Sequence, residues 1–327
     1  MSTPMAKEAS PGLMDRLRTT EVRNLGLVAV LAVLIVVGAV TSENFLTTDN
    51  LRNILVSSSV IGVVTVGVTF VIIGGGIDLS VGALVALASV WATTLATQSY
   101  GPWMMVLCAL LVGAGAGLVN GLLIAYGRLV PFIVTLAMLV SARGLAAKLA
   151  DNRTQIVNQN SIKELATTDV IGIPLLVLIL AAVATVGWVL LNRTTFGRRT
   201  FAIGGNAEAA RLAGIDVRRT TALLYVLSGT CCGIAAVMII ARTTTGSSTH
   251  GSLYELDAIA AVIIGGTLLS GGRGTLIGSI LGVLVFTTIT NIFILNNLAT
   301  EVQNIAKGVI IVLAVLLQRR AGREGAG

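Results

Sequence analysis

Residues 54–73 read I-L-V-S-S-S-V-I-G-V-V-T-V-G-V-T-F-V-I-I, and residues 74–80 continue G-G-G-I-D-L-S. The first stretch has no ionisable side chain and matches the roughly 20 residues a helix needs to cross a hydrocarbon core. The second stretch interrupts it, because three consecutive glycines hold a helix poorly. Working outward, apolar runs recur at 25–40, 79–96, 103–125, 131–148, 171–191, 221–241, 258–269, 275–295 and 302–317, giving roughly ten spans. The run at 258–269 is too short to cross alone and is expected to tilt, break or re-enter.

Composition agrees with that reading. Of 327 residues, 55% are hydrophobic and 11% charged, with a mean hydropathy of +0.92. A soluble domain of this size needs more charge to cover its surface. The expected fold is an all-α polytopic membrane protein with broken or re-entrant Gly-rich segments. Polar tails at 1–24 and 319–327 flank a membrane domain at 25–318. The first run is long enough to span and no clear cleavage pattern follows it, so the start of the chain does not read as a signal peptide.

The net charge is +7, and its distribution orients the chain. With the N-terminus in the cytoplasm, that side receives Arg16, Arg18, Arg128, Arg193, Arg198, Arg199, Arg211, Arg218, Arg219, Arg319 and Arg320. The opposite loops and helix bodies hold only Arg52, Arg143, Lys148, Arg153, Lys163, Arg242 and Lys307. Both termini are therefore expected to be cytoplasmic. Aromatic residues are 4% of the chain and do not interleave with basic ones, which argues against nucleic acid. His250 has no neighbouring ligand pattern, and Cys108, Cys231 and Cys232 lie in apolar runs, so neither metal nor His-based catalysis is expected.

One long polar segment, 192–220, separates two spans. Asn206 suits a helix N-cap, Glu208 its first turn, Arg211 its last turn and Gly214 the C′ stop. Ala209, Leu212 and Ala213 would share one face, small and apolar enough to enter a partner's groove. The segment reads as a docking helix or as an ordinary basic loop.

Two glycine clusters break the apolar pattern. Gly74, Gly75 and Gly76 precede Asp78, the lone acid between Asp49 and Asp151. An ionisable residue near membrane depth faces a cavity, a partner or water, so this break lines a path or gate, or else Asp78 caps the next helix. The second cluster starts with Gly265 and Gly266 and contains L-S-G-G at 269–272. That tetrapeptide is similar to an ABC ATPase signature, yet the chain has no G-x-x-x-x-G-K-[ST] to cradle a nucleotide. Gly113, Gly117 and Gly121, and again Gly274, Gly278 and Gly282, are spaced for close helix approach. Together with the doubled V-I-I-G-G at 71–75 and 262–266, they suggest an internal repeat whose axis the spacing leaves open. Asn120 and Asn291, inside apolar runs, serve as helix–helix hydrogen bonds or as solute contacts.

Four segments carry a resemblance: G-G-I-D-L-S-V-G at 75–82, N-G-L-L-I-A with P-F-I-V-T-L at 120–125 and 131–136, F-A-I-G-G-N-A-E-A-A-R-L-A-G-I at 201–215, and L-D-A-I-A-A-V-I-I-G-G-T-L-L-S-G-G-R-G at 256–274. The chain resembles the permease subunits of ribose/xylose/galactose-type bacterial ABC importers. The resemblance implies a multi-pass protein of the bacterial inner membrane that works beside a second copy. It also implies a separate cytoplasmic ABC ATPase, which carries ATP and Mg, and a periplasmic or extracellular sugar-binding protein. No cofactor or catalytic residue is expected on this chain. The coupling residues would be Gly205, Asn206, Glu208, Ala209, Arg211, Leu212 and Gly214, and the path or gate would involve Gly74, Gly75, Gly76, Asp78, Asn120, Gly265 and Gly266. Few charged side chains are expected in the spans to grip a sugar. The rival reading is an ion-coupled secondary transporter using Asp78.

Overall fold

Each apolar run becomes a helix in the computed structural model, which describes residues 13–324. In chain order the helices are α1 (Leu13–Thr41), α2 (Thr48–Ile73), α3 (Val81–Ala92), α4 (Leu95–Gln98), α5 (Pro102–Ala125), α6 (Pro131–Leu149) and α7 (Asn160–Thr167). Then follow α8 (Leu175–Arg193), α9 (Thr195–Gly205), α10 (Ala207–Leu212), α11 (Val217–Thr243), α12 (Tyr254–Ile264), α13 (Leu276–Leu295) and α14 (Thr300–Glu324). Among the described residues, 7 helices are long and apolar enough to cross a membrane: α1, α2, α5, α6, α8, α11 and α13. The expected tails fall partly outside the described residues, and α1 and α14 reach into the rest of them.

The third run is shorter as a helix than as a sequence. Asp78 Oδ1 accepts the Ser80 N–H at 3.0 Å and holds the chain in a turn, so α3 starts only at Val81. At the other end the Thr93 hydroxyl donates to the Ser89 carbonyl at 2.8 Å, and α3 stops after 12 residues. Helix α12 has 11 residues and likewise cannot span alone.

The segments α9 and α10 lie at one end of the bundle. Two short ribbons mark the other: β1 (Gln155–Ile156) pairs antiparallel with β4 (Thr245–Gly246), and β2 (Asp169–Val170) with β3 (Ile173–Pro174). The segments that link α6 to α7 and α11 to α12 thus meet each other through β1 and β4. Gln98 ties them to α4, with its amide donating to the Thr93 and Ile156 carbonyls at 2.7 and 3.0 Å.

The packing has an antiparallel internal symmetry. Helix α5 lies on α11 as α13 lies on α2; α3 touches α5, α6 and α11 as α12 touches α13, α14 and α2. Exchanging α2 with α11, α3 with α12, α5 with α13 and α6 with α14 therefore preserves these neighbours while reversing every direction, the pattern of an inverted repeat. The first helices break it, since α1 packs on α13 but α8 packs on α2. The two glycine runs are not equivalents either. Those on α5 meet Gly229 and Ala222 of α11, whereas Gly278 and Gly282 meet Gly265 and Ala261 of α12.

Lipid tails are as apolar as these side chains, so close packing and interhelical hydrogen bonds hold the bundle together. At the β end, Asn291 Nδ2 donates to Asn50 Oδ1 at 2.7 Å, and Asn50 Nδ2 returns to Asn291 Oδ1 at 3.1 Å. Asn291 is thus helix–helix glue. Asn291→Ala is expected to lower stability by about 0.6–2 kcal/mol; an unchanged thermal midpoint in detergent would show that the pair contributes nothing.

Candidate coupling and translocation site

The two helix breaks and the polar segment, distant in sequence, meet at one point. The Gly272 N–H donates to the Ile73 carbonyl at 2.8 Å, joining the break after α12 to the break after α2. Gly204, near the end of α9, fills the angle between them. A Cβ there would overlap the Ile73 carbonyl oxygen and come within 2.5 Å of the Gly272 nitrogen. A Cβ on Gly271 would lie 2.8 Å from the Gly75 Cα, and one on Gly272 would lie 2.8 Å from the Gly205 Cα. Backbone touches backbone here, so a displacement of α9 reaches both breaks without an intervening flexible side chain. Of the residues singled out from the sequence, Gly75 and Gly205 belong to this crossing, Gly74 abuts Leu224 and Gly76 abuts the Tyr225 hydroxyl. Gly265 instead crosses α13 at Gly278, and Gly266 follows it at the end of α12.

Beyond the crossing, α10 forms as its sequence requires. The Asn206 side chain accepts the Ala209 N–H at 2.9 Å, and Gly214 takes the left-handed conformation at φ +82°. Arg211 bonds both Glu208 oxygens, the shorter contact being 2.6 Å, and holds that carboxyl below the usual carboxylate range. Ala210 is buried, whereas Ala209 and Ala213 are exposed and Leu212 is 75% exposed. Among the described residues nothing covers the Leu212 side chain.

Asp78 lies in a buried polar network. It is 1% exposed. Its Oδ1 accepts the Ser80 hydroxyl at 2.6 Å and its Oδ2 the Ser228 hydroxyl at 2.8 Å, in addition to the Ser80 N–H. Asn120 Nδ2 donates to the Ser80 hydroxyl at 3.0 Å, and the Tyr225 hydroxyl donates to the Ile77 carbonyl at 3.2 Å. The network locks the turn before α3 onto α5 and α11. No cation pairs with Asp78 among the described residues. Ser80, Ser228 and Tyr225 escaped the sequence reading because single hydroxyls in apolar runs usually bond their own helix.

One charged pair lies beside the spans, between α12 and α14. Lys307 of α14 bonds both Asp257 oxygens at 3.2 Å and lies 5.4 Å from the Phe286 ring centroid. The pair borders a cleft of about 270 Å³ between α2, α12, α13 and α14. On the other flank of α12, Arg143 of α6 donates to the Ser248 and His250 carbonyls at 2.7 Å each. Asp257 lies one residue before the apolar run at 258–269, and Lys307 alone does not break the run at 302–317. A lone charge within an apolar run was the available signal.

The sequence family described as branched-chain amino acid transport system / permease component matches residues 50–315. The chain is 38% identical over 300 residues to the ribose import permease protein RbsC of Bacillus subtilis, covering 91% of this chain and 93% of that protein. It is 37% identical over 294 residues to the Escherichia coli K12 protein of the same name, with 89% and 92% covered. The L-arabinose transport system permease protein AraH of E. coli K12 is 36% identical over 294 residues, with 90% of each chain covered. No solved structure is significantly similar to it. With a match from residue 50 to 315 and alignments that run nearly end to end, the chain belongs to this family of membrane transport permease components.

Proposed function

We propose that this chain is the membrane-spanning subunit of an ABC-type importer for a monosaccharide or a related hydroxylated solute. The observation that carries the reading is the end-to-end similarity to permeases named for ribose and arabinose import, which outweighs the amino-acid wording of the family description. The solute would cross without a covalent step on this chain. A separate cytoplasmic ATPase, using ATP and Mg, supplies the energy, because this chain has no phosphate-binding loop. An external binding protein delivers the solute at the β end.

In this reading the α9–α10 end faces the cytoplasm, as the concentration of arginines there supports. The ATPase holds α10 through Leu212, Ala209 and the Glu208–Arg211 pair, and pulls on Gly205 and its neighbours. Motion passes to the breaks at Gly74–Gly76 and Gly265–Gly266, and from the first break to the turn held by Asp78 and Asn120. The exposed apolar groove on α14 around Gly308, lined by Ile305, Val309 and Val312, suits close approach of a second copy.

Co-purification from the native membrane tests the docking role. Glu208→Arg and Gly214→Pro are expected to leave the chain inserted while lowering ATPase recovery at least roughly tenfold, the effect of losing about 1.4 kcal/mol of binding. Wild-type recovery and uptake in both variants would remove the docking assignment.

A further inference from the structure

The cleft beside the Asp257–Lys307 pair is built differently from the rest of the bundle. The contacts Gly265–Gly278 and Ala261–Gly282 run antiparallel along α12 and α13. One turn further on they bring Asp257 level with Phe286, about 15 Å along α13 at 1.5 Å per residue. That is mid-depth for a helix of 20 residues. Charged side chains at that depth are costly and line cavities or solute pathways. This pair does not form a sealed clamp. Both contacts are 3.2 Å, longer than the about 2.7–2.9 Å of a tight charge-assisted bond, and the side chains keep 16% and 15% of their exposure.

The lining has a consistent chemistry. Asp257 offers acceptors, Lys307 and Arg242 offer donors, Tyr254 and Thr290 offer hydroxyls that do both, and Phe286 supplies an apolar wall. Asp257 and Lys307 already neutralise each other. Arg242 has no acid partner among the described residues, so the cleft presents many hydrogen-bond partners around a compensated pair and one net positive charge. A polyhydroxylated solute can bond to them all, whereas the ammonium of a zwitterion would have to displace Lys307 from Asp257. At about 270 Å³ it is slightly below the roughly 300–1,000 Å³ of sites for drug-sized ligands, and of a size for one small solute.

We propose that this cleft is a weak transit site for a polyhydroxylated solute, held by Asp257, Lys307, Arg242 and Tyr254. The inference rests on the importer reading for its biological role, but solute occupancy of the cleft is measurable without transport. The full chain, with Thr290→Cys as reporter and Cys108→Ser to remove the partly accessible thiol, is placed in lipid nanodiscs. The rate of modification by a small water-soluble thiol reagent is then followed. D-ribose or L-arabinose is expected to slow it at least threefold, and leucine to leave it unchanged. Arg242→Gln, at an exposed position, should reduce the protection, and the apolar pair Asp257→Leu with Lys307→Met should abolish it.

No labelling, labelling indifferent to pentoses, or protection that persists in the apolar pair would each overturn the proposal. Protection by leucine alone would overturn its solute class. An ion pair that only ties α14 to α12 would be replaced by the apolar pair without loss, so full pentose protection in that variant identifies a clamp. In parallel, the wild-type chain is reconstituted with its ATPase and binding protein. Absence of ATP-driven pentose uptake there would defeat the importer reading, while the labelling result separately decides the cleft.

Discussion

Gly204→Ala is expected to uncouple the protein, while Gly205→Ala, one residue on, should be close to neutral. A methyl group on Gly204 has no space, because it meets the Ile73 carbonyl and the Gly272 amide, both backbone groups that no rotamer change can move. The same group on Gly205 meets nothing within 4 Å. Overpacking of this kind costs about 1–3 kcal/mol and is relieved only by backbone shifts. Here the shift would part α9 from both helix breaks and strain the Gly272–Ile73 hydrogen bond. Each 1.4 kcal/mol moved between two states of the path changes their ratio about tenfold. ATP-driven uptake should therefore fall roughly tenfold or more in the first variant, with a lower thermal midpoint. Equal behaviour of the two alanine variants would show that the crossing transmits nothing.

The second large effect concerns Asp78. Asp78→Ala leaves the Ser80 amide, the Ser80 hydroxyl and the Ser228 hydroxyl without their acceptor in a site that water does not reach. Each orphaned donor costs about 1–3 kcal/mol, so a loss of about 3–9 kcal/mol is expected. Asp78→Asn keeps one acceptor oxygen for Ser80 and should lose less than half as much. Thermal unfolding of the purified chain in detergent reads the difference. If alanine and asparagine prove equally mild, the network does not hold the turn before α3. The same variants bear on energy coupling: if Asp78 served ion coupling, Asp78→Asn would abolish uptake on loss of the titrating proton, whatever its effect on stability.

Much of this architecture was legible in the sequence, because a hydrocarbon core penalises an unpaired backbone and a lone charge severely enough to write itself into run lengths. The spans, the short helix α10 with its Asn206 cap and Gly214 stop, and the shortness of the eighth run all follow from local rules. The half-length of α3 was less accessible, since it depends on Asp78 folding back on Ser80 and on Thr93 closing the far end. The glycine crossing was hidden for a different reason. Gly75, Gly204 and Gly272 come from three separate segments, and spacing along a chain carries no information about which turns will touch. The pair of Asp257 and Lys307 was hidden likewise: Asp257 sat just before one apolar run and Lys307 within another, and each run looked complete without it.

An antiparallel duplication is indifferent to direction. Turned over, it presents the same openings in the opposite order, and nothing in such an object distinguishes uptake from leakage. This chain escapes that indifference in its links. Between α1 and α2 the chain needs only residues 42–47; between α8 and α11, which hold the same places in the chain order of the other half but pack differently, it inserts α9 and α10. In the function proposed above, α9 and α10 give the ATPase a handle that the other half lacks. Work would then be applied from a single side of the membrane, and a scaffold that is reversible by construction would acquire a sense of inward and outward.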